Sequence, residues 1–183
     1  MQKTNYFELL EELSLLCSRA VFLAVNSTRA IIQKALAECT ELQEQSTKKI
    51  CELELALFTD FLPPLERQSI AKAAHGMSSV IEKCSHIIFQ KTQRTGYDKR
   101  AKAPDACITL SQMLEESVRL LKKIKKPNQT PRLNEFRETL NASRKASRVS
   151  QKRQGAYSLL LCELREELSD CFDKVIEIML CNI

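Results

Sequence analysis

The chain has 183 residues, 44% of them hydrophobic, with only three glycines, which suits one packed domain and is short for two. No Trp, 5% aromatics and an abundance of Leu, Glu, Lys and Ala favour helix over sheet and predict an all-α class. The longest uncharged stretch, residues 20–28, contains Asn26 and is far below the roughly 20 apolar residues of a membrane span, and Met1 is not followed by the charged, apolar and small-residue regions of a signal peptide, so a cytoplasmic protein is expected.

In chain order, residues 6–37 read as a long first helix through Phe7, Leu10, Leu13, Cys17, Ala20, Leu23, Ile31 and Ile32. Asn26-Ser27-Thr28 is a polar interruption without a Pro or Gly to force a break. A second helix is expected over residues 40–59, with Leu42, Ser46, Ile50, Leu53 and Leu57 on one side. The third starts near Pro64, because proline suits a first helical turn, whose N–H has no partner, and Glu66 suits the positive helix end. From there Ile70, Ala73, Ala74, Met77, Ile81, Cys84 and Ile88 recur at three- and four-residue steps and form one buried stripe. The two helices on either side of residues 60–63 are expected to be antiparallel neighbours.

A polar, basic loop follows, and Pro104 marks the fourth helix, with Ile108, Met113, Leu114, Val118, Leu121 and Ile124. Thr130, an expected N-cap before Pro131, opens the fifth, whose second half is very polar and which Gly155 closes. The sixth, residues 157–181, returns to strong amphipathicity through Leu160, Leu164, Leu168, Cys171, Val175, Ile178 and Met179.

The eight cysteines are scattered and form no CxxC. At Cys17, Cys84, Cys107, Cys162 and Cys171 they fall on apolar stripes, where a free thiol acts as a small buried hydrophobe. The formal charge of +5 is concentrated in residues 91–102, 122–126 and 144–153, basic segments suited to an anionic lipid surface or an acidic protein. No interleaved aromatics or recognition motif accompany them, so no nucleic-acid partner is expected. His75 and His86 read as surface or boundary residues. No Gly-rich phosphate loop, nucleophile elbow or HExxH is present, and the chain is read as non-enzymatic.

One internal match stands out. Ser78 and Ser169 each open a Ser, three residues, acid, Lys pattern, 91 residues apart, the trace expected of a duplicated three-helix unit with halves of about 1–95 and 103–183.

The segment FLPPLERQSI resembles the helix-start signature of the PhoU-like proteins that accompany low-affinity phosphate permeases, through Phe61, Pro64, Arg67 and Ile70. NYFELLEELSLLCSRAV is similar to that family's first helix, LEESVRLLKKIKK to its fourth and LREELSDCFDKVIEIML to its last. The resemblance implies a six-helix bundle of two three-helix units and four acid, three residues, acid patterns converging on iron or zinc clusters. In register, those positions are Gln43 and Thr47, Ser78 and Glu82, Ser143 and Ser147, and Ser169 and Asp173. Only Glu82 and Asp173 keep a carboxylate. One carboxylate per half cannot offset the desolvation of a multinuclear cluster, so the family-type metal site is expected to be lost.

What the resemblance implies for function is regulation of inorganic phosphate transport by binding a permease at its cytoplasmic side, peripheral to the membrane, with Arg67, Glu82 and Asp173 as candidate binding residues. A divergent helical scaffold or homodimerisation module unrelated to phosphate is the alternative, followed by a nucleic-acid-binding helical protein, which rests on charge alone.

Overall fold

The computed structural model describes residues 5–60, 66–93, 103–121, 130–150 and 156–181, the side chains of residues 103, 104, 130, 146–150 and 156 excepted. Six helices run through them: α1 (Tyr6–Asn26), α2 (Ile32–Thr59), α3 (Arg67–Gln93), α4 (Ala103–Leu121), α5 (Thr130–Ser150) and α6 (Ala156–Leu180). No strand occurs among the described residues, and none of their helices is long and apolar enough to cross a membrane. The all-α class and the six helices agree with the sequence reading. Phe61 and Pro64 of the helix-start signature and the basic residues 122–126 lie outside the described residues.

The first helix boundary is a correction. The expected single helix over residues 6–37 is divided, with α1 ending at Asn26 and α2 starting at Ile32 and continuing unbroken through residues 38–40. Asn26-Ser27-Thr28 is a real stop. The Asn26 side-chain amide donates to Phe22 O, and Ser27 turns to extended geometry at φ −64° and ψ 123°; such short polar side chains satisfy backbone groups locally and compete with helix continuation. At the other end of α1, Asn5 Oδ1 accepts from the Glu8 N–H and Glu8 faces the positive helix end. Tyr6 pins that end to the far end of α2, donating to Ala56 O at 3.1 Å and Asp60 Oδ2 at 2.9 Å.

The packing repeats. α1 lies on α2 and α3, and α3 on α2; correspondingly α4 lies on α5 and α6, and α6 on α5. The two triplets meet through α1 against α4 and α3 against α6. Exchanging α1 with α4, α2 with α5 and α3 with α6 therefore preserves which helices touch, although α5 meets α4 only slightly where α2 packs firmly on α1. One hydrophobic cluster draws on all six helices, with Leu10, Leu13, Ile81, Cys84, Leu114, Phe136 and Phe172 fully enclosed. Phe136 of α5 meets Phe172 of α6 edge to face, with centroids 5.5 Å apart, an arrangement that adds about 1 kcal/mol to the area term. α2 and α5 are thereby the outer helices, and α1, α3, α4 and α6 the inner layer.

Candidate functional site

The positions singled out by sequence lie on the outer helices and on the faces of α3 and α6 beside them. On α2, Gln43 is half-buried and Thr47 exposed, its hydroxyl donating to Gln43 O at 3.0 Å. On α3, Ser78 is half-buried and Glu82 exposed. On α5, Ser143 is half-buried with its Oγ shielded and without a hydrogen-bond partner among the described residues, while the Ser147 side chain lies outside them. On α6, Ser169 is buried and donates to Arg165 O at 2.8 Å, and Asp173 is exposed. Arg67 is exposed at the start of α3, with its guanidinium on Asp60 O. Arg67 and Glu82 stand fifteen residues apart on α3, about 22 Å along the helix, which is too far for the two to share one site.

Asp173 already has a cation. Arg144, next to Ser143 on α5, reaches across to α6 and places Nη2 3.1 Å from Asp170 Oδ1 and 3.3 Å from Asp173 Oδ2. A guanidinium beside Asp173 offsets the charge that the carboxylate would offer a cation. Among the described residues, no group of three His, Cys, Asp or Glu side chains could hold a metal ion. The Thr47 and Ser169 hydroxyls are both turned to carbonyls of their own helices.

The strongest buried polar arrangement is one that sequence reasoning placed on the surface. Lys91, assigned to a basic cluster, is only 4% exposed and lies in the core beneath the end of α1. Its ammonium donates to Ala24 O at 2.6 Å, Val25 O at 3.3 Å, and Ser27 O and Oγ at 3.4 Å, and stands 5.0 Å from the Tyr157 ring centroid. The last carbonyls of a helix have no intrahelical donor and carry the negative end of its dipole. α1 has no basic residue in its own last turn, so α3 supplies one. Burial lowers the Lys91 amine to about 8. The signal was present in the spacing, because Lys91 continues the stripe of Cys84, Ile87 and Ile88.

A second arrangement lies at the seam of α3 and α6. Lys83 Nζ is 3.1 Å from Glu167 Oε2. Burial pushes the Glu167 carboxyl up, but hydrogen bonds from Ser79 and Lys83 and the nearby Lys174 charge outweigh it and hold it below its usual range. Gly76 lets the two helices approach, since a Cβ there would lie 3.2 Å from Cys171 Sγ. Lys83 and Lys174 are the lysines that follow the two matched Ser-to-acid patterns. Both motif lysines thus act on Glu167, Lys83 through an ion pair and Lys174 through its nearby charge.

Six of the eight cysteines, including Cys39, are buried, and Cys51 and Cys181 are exposed; all eight are free thiols. Cys39, Cys107 and Cys171 donate to the carbonyls of Ile81, Leu161 and Ala73. Burial raises their pKa values, Cys39 to about 11 and Cys107 and Cys171 to about 12, which suppresses thiolate and with it metal or redox chemistry. His75 and His86 are exposed; His75 meets Glu54 at 2.8 Å and His86 meets Gln90 at 3.1 Å.

The concave feature of note is a groove of about 440 Å³ between α1 and α2, lined by Glu12, Leu15, Leu16, Gln45, Lys48, Lys49 and Glu52. Lys49 bridges Glu12 at 2.6 Å and Glu52 at 3.5 Å along it. It has an apolar floor and charged walls, and no nucleophile and base pair among its lining residues. No family model and no curated protein matches the chain.

Proposed function

We propose that this chain is a non-enzymatic, PhoU-like accessory protein of inorganic phosphate transport that acts by docking on a membrane permease at its cytoplasmic face. The observation that carries the reading is the duplicated packing: α1, α2, α3 and α4, α5, α6 pair in the same pattern and meet like to like, the architecture that the FLPPLERQSI signature and the Ser78 and Ser169 repeats imply. The family positions support a form that works without a metal cluster, because Arg144 is paired with Asp173 and Ser169 is turned to its own helix. In this reading the basic segments meet anionic lipid around the permease.

Phosphate uptake by the native host tests the proposal. Deleting the gene should change the rate of phosphate uptake, and the wild-type chain should restore it; an unchanged rate in the deletion strain under both phosphate-rich and phosphate-poor growth would refute the reading.

A further inference from the structure

The outer face of α2 carries a second apolar stripe. Cys51, Leu55 and Phe58 follow at steps of four and three, which aligns them on one side, opposite the buried Leu42, Ser46, Ile50, Leu53 and Leu57. Leu55 is 65% exposed and Phe58 86%, the two most exposed large hydrophobic side chains among the described residues. Single exposed apolar residues need no explanation, but two adjacent ones beside a recess do. The recess is the α1–α2 groove, whose floor is Leu15 and Leu16 and whose wall includes Lys48 and Glu52 of α2 itself.

We infer that this face is a homodimer interface in which α2 of one copy packs antiparallel on α2 of another. Three observations select a second copy as the occupant. The knob and the recess lie on one helix, which is what a two-fold contact requires, since each patch must complement itself. Leu55 is ten residues beyond Gln45, or about 15 Å along the helix. A two-fold axis midway between them, level with Ile50, sets Leu55 of each copy level with Gln45 of the other, over the apolar floor of the groove, with Phe58 a turn further on. The charges also agree: Lys48 and Glu52 stand on the groove side of α2, and the same axis opposes each Lys48 to the partner copy's Glu52, giving two unlike pairs at the rim. The mode is a helix laid in a groove, with Leu55 and Phe58 as anchors. It is independent of the phosphate reading.

Sedimentation equilibrium of the full chain across a concentration series, under reducing conditions, tests this. The wild type should show a monomer–dimer equilibrium. Phe58→Ser and, from the opposite side of the contact, Leu15→Glu should each weaken it by about ten-fold or more, whereas Leu180→Ser, an exposed residue on α6, should leave it unchanged. Circular dichroism verifies that each variant stays folded, which is expected because none of the three side chains is buried. A short bismaleimide cross-linker should also join two chains through Cys51 in the wild type and fail to do so in Cys51→Ser. A chain that is monomeric at every concentration overturns the inference, even if Phe58 captures a different protein. So does a dimer that both Phe58→Ser and Leu15→Glu leave intact.

Discussion

Lys91 Nζ lies 2.6 Å from Ala24 O, in the core, and so ties the C-terminal ends of α1 and α3 together. Its remaining bonds fall on Val25 and Ser27, so one side chain serves two of the last carbonyls of α1 and the residue just beyond it. Lys91→Met keeps the apolar stem but removes the donors. Hydrogen bonds to a charged group contribute about 1.5–3 kcal/mol, and buried carbonyls left unpaired add to the loss. A destabilisation of about 2 kcal/mol is expected in urea unfolding, with the midpoint lowered and the slope retained. An unchanged midpoint would show that the cap is dispensable.

The buried thiols set the behaviour at high pH. Cys17 and Cys84 are raised well above their ordinary value of 9.0, Cys39 to about 11, and Cys107 and Cys171 to about 12, all chiefly by burial. A thiol that stays protonated when folded but ionises when unfolded contributes stability that is complete below about pH 9 and is lost as pH rises toward the folded value. The loss is about 1.4 kcal/mol per pH unit for each group, or about 7 kcal/mol per unit for five. Lys91, lowered to about 8 by burial, acts in the opposite sense: the unfolded chain holds its proton more tightly, so on its account stability rises from about pH 8. One lysine against five thiols leaves the balance negative above pH 9. With a domain stability on the order of 5–15 kcal/mol, ellipticity followed against pH in reductant should show cooperative unfolding within about two units above pH 9. A fold retained beyond pH 11 would contradict the thiol burial.

α3 separates packing from site chemistry. Ile81 and Ile88 are fully enclosed, and replacing either with Ala should cost about 2–5 kcal/mol. Ser78→Ala, four residues from Glu82 on the half-buried edge of the same helix, should change stability by about 1 kcal/mol or less. A thermal-melt scan with phosphate, magnesium, zinc and iron salts adds the functional arm. Any stabilising shift that survives Ser78→Ala, Glu82→Gln and Asp173→Asn together places the binding elsewhere.

Arg144 is expected to matter for charge rather than for folding. Its pairs with Asp170 and Asp173 are solvent-exposed, where ion pairs contribute little, so Arg144→Gln should leave the melting temperature nearly unchanged. Elemental analysis of protein purified without chelator should find substoichiometric iron and zinc in both forms. Two or more tightly held ions per chain would contradict the reading of the α5–α6 face.

The helices were legible wherever apolar periodicity met a proline or a glycine. α4 begins beside Pro104, α5 beside Pro131, and α6 just beyond Gly155. The α1–α2 break was not, because α1 ends through a local bond of the Asn26 side chain and through Lys91, 64 positions from Ser27. Lys91 itself was misread since charge runs are usually solvated, although its place on the stripe of α3 pointed inward. The serines of the repeated motif were found, but their roles were not: which carbonyl Ser169 takes, and that Lys83 crosses to Glu167, depend on how α3 and α6 are set against each other. Phe58 was invisible for the opposite reason, since nothing in its spacing separates an exposed stripe from a buried one.

Co-purification from membranes of the native host tests the proposed function most directly. The tagged chain, captured from detergent-solubilised membranes at moderate salt, is expected to bring down an inorganic phosphate permease in near-stoichiometric amount, and the yield should fall as salt rises because the basic segments contribute to the contact. Recovery of the chain with no phosphate transporter, from membranes in which the permease is demonstrably expressed, would contradict it.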